Sequence, residues 1–126
     1  MVQIVDSVSD PNSVTYYDDS DFPLTDSLVT YLSIDARNAK SAHIVMKNTS
    51  QTSIVCKILG SVKPTQTIPL ESDPSWSIIH IDETIVGNAE HQHDLSPTWS
   101  WFLIQLKNNE PPAVGTAKVW VKIKLV

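Results

Sequence analysis

The clearest pattern in the chain is its last segment, Thr116 to Val126. There Ala117, Val119, Val121, Ile123 and Leu125 alternate with Lys118, Trp120, Lys122 and Lys124. A period of two puts the first set on a buried face and the second on a wet one, which predicts a half-buried strand. A similar alternation from Ser41 to Lys47 sets Ala42, Ile44 and Met46 against His43, Val45 and Lys47. The polar run Asn48-Thr49-Ser50-Gln51 reads as a hairpin loop before Thr52 to Ser61, apolar on both faces, so the two segments are expected to pair antiparallel. Trp76 to Asp82 and Trp99 to Leu106 read as two further strands, the second apolar enough to be central, with weaker strands around Leu28 to Ile34 and Thr67 to Leu70. Asn108-Asn109-Glu110-Pro111-Pro112 breaks the chain before the last strand.

About seven to eight short strands with no convincing helical stripe predict an all-β fold, an antiparallel β-sandwich or jelly roll over residues 28–126. Residues 1–27 lack such periodicity and read as an irregular N-terminal arm. Its apolar members, among them Tyr16, Tyr17 and Phe22, are costly to leave in water, so the arm is expected to dock on its own domain or on a neighbour.

Length and composition fit this picture. At 126 residues one domain can bury a sizeable core unaided, and Cys56, the single cysteine, excludes an internal disulfide and any CxxC site. As a lone cysteine in an apolar strand it reads as a small core residue. No apolar run is long enough to span a membrane, and Met1 to Asp6 does not resemble a secretory signal, so synthesis in a cytoplasm is expected. The net charge of −5 argues against a nucleic-acid partner. The charge is also unevenly spread. Seven aspartates precede Arg37, the first basic residue, while six of the nine basic residues follow position 56, so the acidic first quarter could meet a basic surface on this chain, a neighbouring copy or a partner.

Few constellations suggest chemistry. His91-Gln92-His93-Asp94, with His80 and Asp82 repeating the i, i+2 spacing, could share a metal if the two pairs met, but nothing local requires that. Residues 87–97 otherwise read as a polar surface loop, and no metal or cofactor is expected. A metal-dependent enzyme at His80, His91 and His93 is the poorest reading. Asp18, Asp19, Ser20 and Asp21 lack the glycine and the downstream glutamate of a calcium loop and read as a solvated turn. Asn48-Thr49-Ser50 matches the glycosylation tripeptide. No GxSxG elbow is present and Cys56 has no base beside it in sequence, so the chain is expected not to be an enzyme.

The aromatics say more. Trp99 and Trp101 are expected on one strand face with Leu103, and Trp120 among lysines on the solvent side. Together Trp99, Trp101 and Trp120 could make a sugar-stacking platform. Alternatively Trp120, with Tyr16, Tyr17 and Phe22, could anchor a subunit interface, or be covered by the arm or by lysine stems.

From about Ala42 to Val126 the layout resembles small β-sandwich virion proteins of tailed phages and related viruses, of the capsid-decoration or fibre-associated type. The resemblance is carried by a strand followed by Lys47-Asn48-Thr49-Ser50, then Ile54-Val55-Cys56-Lys57-Ile58-Leu59-Gly60-Ser61, a proline-punctuated middle, and an aromatic strand ending in a basic one. Val62-Lys63-Pro64 stands where such segments often carry an Asp-Gly turn. The resemblance implies a non-enzymatic capsid decoration protein of the virion, a homo-oligomer and commonly a trimer, that binds the major capsid protein or another virion protein through its arm and one end of the sandwich. A carbohydrate- or receptor-binding module is the alternative.

Overall fold

The computed structural model describes residues 3–6, 13–17, 22–96, 98–109 and 115–126, with the side chains of 3–6, 16, 17 and 83 left aside. The acidic turn at Asp18 to Asp21 and the Glu110-Pro111-Pro112 break lie outside the described residues.

Among the described residues ten strands form, in chain order β1 (Gln3–Asp6), β2 (Ser13–Tyr17), β3 (Phe22–Pro23), β4 (Val29–Asp35), β5 (Ala39–Asn48), β6 (Ile54–Ser61), β7 (Trp76–Ile85), β8 (Glu90–Leu95), β9 (Trp101–Asn108) and β10 (Thr116–Leu125). There is no helix among the described residues. Sheet A runs β1-β2-β10-β5-β8, with β3 also on β10, and sheet B runs β4-β9-β6-β7. All pairings are antiparallel. With β1 and β3 set aside, the eight remaining strands lie in the order first-eighth-third-sixth facing second-seventh-fourth-fifth. That is the order of a jelly roll, two Greek keys wound on one core.

The core is the inner face of each sheet. Ile44 and Met46 of β5 with Val119, Val121 and Ile123 of β10 face Ile34 of β4, Ile54 and Ile58 of β6, and Phe102, Ile104 and Leu106 of β9. The alternation in β5 and β10 thus faces the core as predicted, and β9 is central in its sheet.

The topology departs from the sequence reading at four places. β5 and β6 do not pair. They belong to opposite sheets, so residues 49–53 cross the sandwich instead of turning a hairpin. Asn48, fully buried, makes that crossing possible: its amide donates to the carbonyls of Thr52 (2.6 Å) and Ile85 (2.9 Å), and its oxygen accepts from the Ser50 N–H (2.9 Å) and hydroxyl. A side chain so enclosed and bonded is no glycosylation acceptor in the folded protein. Secondly, the first 27 residues are not irregular where described: β1, β2 and β3 add to sheet A through β10. The ladder of β10 supplies the pairing that their own patterns do not announce. Thirdly, Thr67–Leu70 is not a strand, and segment 62–75 is instead a loop that bonds back to Thr30 of β4, through Glu71, and to Arg37, through the Thr65 carbonyl. Fourthly, residues 90–95, expected in a polar loop, form the edge strand β8 on β5.

Buried Asn108 repeats the work of Asn48 at the same end. It donates to the Leu24 carbonyl (3.2 Å) and accepts from the Gly115 N–H (2.7 Å), tying the chain after β3 to the entry of β10.

Candidate functional site

Trp120 stands on the outer face of sheet A, half-buried, with Val45 opposite it on β5 and Tyr17 on β2. Lys118, Lys122 and Lys124 share its face by alternation. Tyr16 and Tyr17 are backbone-paired to Val121 and Trp120, their side chains being outside the described set. Phe22 turns inward: its ring meets Tyr31 edge-on at 4.8 Å and packs against the core, so it stabilises the sandwich rather than presenting an anchor.

The two other platform candidates are not together. Strand β9 begins at Trp101, so Trp99 is outside the alternation. Its ring packs on the core over Gly60, where a Cβ would come within 2.6 Å of it. Trp101 lies on the outer side of sheet B, opposite Ser61 and Asp35, but is buried. The Arg37 guanidinium sits 4.7 Å over its ring, held by Asp35 (2.6 Å) and donating to the Thr65 carbonyl (3.4 Å). Arg37 in turn holds the Asp35 carboxyl below its ordinary range. Segment 62–75 covers this half of the face, fixed by Glu71 on Thr30, by Lys63 on Asp73 (2.5 Å) and by the Trp76 indole N–H on the Leu70 carbonyl (2.8 Å). The Trp101 ring is closed to a sugar, and Trp99 is half-buried with one side of its ring over Gly60. The Trp101 indole N–H has no hydrogen-bond partner among the described residues. Trp101→Phe is therefore expected to cost less than about 1 kcal/mol, against roughly 3 kcal/mol for Trp101→Ala, in urea unfolding. Equal losses would mean that the N–H is satisfied.

The other half of sheet B is bare. Leu28, Val55 and Ile81, with Lys57, Lys107 and Asn109, line a shallow groove of about 280 Å³, and Ile78 on the same face is 54% exposed. The sequence pattern hid this strip. Ile78 and Ile81 have opposite parity, and both face outward because β7 bulges at Ile79, where Leu59 pairs with Ile78 and Ile58 with His80.

The histidine pairs do meet. β7 and β8 are the edge strands of the two sheets on the same side of the sandwich, and their inward residues close the seam between them. His93 Nε2 lies 2.7 Å from Asp82 Oδ2, His91 Nδ1 lies 3.4 Å from Asp82 Oδ1, and the His80 ring stacks on His93 at 4.1 Å. The i, i+2 spacing was legible; the meeting depends on strand order, which no local signal carries. In this hydrogen-bonded arrangement no three His, Cys, Asp or Glu groups among the described residues are placed to hold a metal ion. Cys56, in register with Asp82, is buried, and desolvation pushes its thiol pKa far up, so it is no nucleophile.

No family model matches the chain, and no curated protein matches it. Among solved structures it is similar to a chain in the structure of the infectious bursal disease virus Gx strain, at 12% identity and a TM-score of 0.46. The match covers 99% of this chain and 33% of that one, so this chain spans about a third of its neighbour's length.

Proposed function

We propose that this chain is a non-enzymatic structural protein of a virion, made in the host cytoplasm, and more specifically a capsid decoration protein that associates with copies of itself and with other coat subunits. The observation that carries the reading is the jelly-roll strand order together with a bare apolar strip on one outer face. Jelly rolls recur in viral coats and in lectins, an analogy of fold rather than of site. The strip inclines the reading toward assembly, since contiguous exposed apolar surface rimmed by polar groups is characteristic of subunit contacts. Its rim is basic, at Lys57 and Lys107, whereas the chain carries −5 overall and seven aspartates before Arg37. A copy of the chain, net acidic, is therefore attracted rather than repelled by such a rim. The lectin alternative rests on Trp120, since Trp101 is buried and Trp99 lies apart from Trp120 in the other sheet's half of the sandwich.

Light scattering tests this directly. The wild type is expected to be an oligomer, and Ile81→Asp, at an exposed position, is expected to give monomers whose thermal midpoint shifts by no more than a few degrees. A monomeric wild type, or an oligomer indifferent to Ile81→Asp, would remove the strip from the proposal.

A further inference from the structure

All four histidines of the chain stand at one corner of the sandwich, on three adjoining strands. On the inner side of the β7–β8 seam, His91 and His93 of β8 lean on one carboxylate, Asp82 of β7, and His80 of β7 stacks on His93. β6 contributes Cys56, a thiol kept protonated by burial and by Asp82, and β5 contributes only the apolar Ile44 and Met46 behind β8. On the outer side of β8, His43 of β5 is 2.7 Å from Asp94 and 3.1 Å from Gln92. Among the described side chains the seam thus has three imidazoles to one carboxylate, while the outer contact has one imidazole to one carboxylate.

Protons act oppositely on His80 and His43. Burial, then the neighbouring His93, hold His80 below the ordinary histidine value against the pull of Asp82. His80 therefore binds a proton more readily when the seam is open, and closure loses free energy as pH falls from about 6.5 through that depressed value. Hydrogen bonds to Asp94 and Gln92 raise His43. Its contribution is complete below about pH 6.5 and is lost as pH rises through the raised value.

We propose that acid opens the sandwich along this one seam: a proton on His80, stacked against His93, unclips β7 from β8 while His43 and Asp94 keep β8 on β5. The moving part is the edge of sheet B, and opening exposes the inner face beside Cys56, which becomes the reporter.

The test is the rate at which 4,4′-dithiodipyridine, a reagent active on thiols in acid, labels Cys56, divided at each pH by the rate for urea-unfolded protein. Between pH 7 and 5 this ratio is expected to rise by up to about tenfold per pH unit in the wild type. The rise should vanish in His80→Gln and survive in His43→Gln. A flat wild-type ratio, or a rise retained in His80→Gln, would overturn the proposal. Should His80→Gln fail to fold, the ring-proton titrations of the wild type by NMR decide: His80 must titrate below His43, and the reverse order rejects the switch.

Discussion

Asn48→Ala is expected to lower the unfolding free energy by about 3–4 kcal/mol, seen as a fall in the urea midpoint at unchanged slope. The size follows from what the amide holds. It bonds the carbonyls of Thr52, in the crossing, and Ile85, at the end of β7, and receives two donors from Ser50, all from a side chain with no exposure to water. Truncation takes the acceptor from the Ser50 N–H and the amide donor from the Ile85 carbonyl, each at about 1–3 kcal/mol before water enters, while the Ser50 hydroxyl and the Thr52 carbonyl keep each other. Asn48→Asp separates the two halves of the effect, since it keeps the acceptor, loses the donor and buries a charge; it should be at least as damaging. A loss under about 1 kcal/mol for alanine would mean that the crossing from β5 to β6 is held elsewhere.

Phe102→Ala is the second large loss, expected at about 3–5 kcal/mol in the same measurement. Phe102 is fully buried in β9, with strands on both sides: Ile34 is its partner in β4 and Gly60 in β6. Gly60 cannot grow into the void, because a Cβ there already meets Ile79 and Trp99 at 2.6 Å. The cavity therefore stays largely open, and that is the condition under which truncation costs most. A loss near 1 kcal/mol would show that Trp99 collapses into the space.

What the sequence made legible is what depends on neighbours along the chain. The alternation of Ala117 to Leu125 places β10 and its buried face, and the apolar run through Leu103 places β9 in the middle of a sheet. What depends on pairing was not legible. A polar four-residue run after β5 serves a hairpin and a crossing equally well, and only the burial of Asn48 decides between them. Glu90-His91-Gln92-His93-Asp94 has no apolar alternation, because its inward residues meet a polar seam, so β8 reads as a loop. The bulge at Ile79 reverses the parity of β7, which puts Ile78 and Ile81 on one face and brings His80 and Asp82 inward. The candidate sites follow the same division: the tryptophans could be picked out by type, but whether a ring stays half-buried, as at Trp120, or is closed under Arg37, as at Trp101, is a tertiary matter.

The polarity of β8 has a further consequence. As the last strand of sheet A it presents a free row of backbone donors and acceptors, the kind of edge onto which a strand of another molecule can add and seed fibrils. Any incoming strand would lie beside Glu90, Gln92 and Asp94 on one side and the histidines on the other, desolvating acidic groups in a chain that is itself acidic. Growth by strand addition is penalised there, which makes the protein resistant to amyloid-like polymerisation at this edge even at high protein concentration.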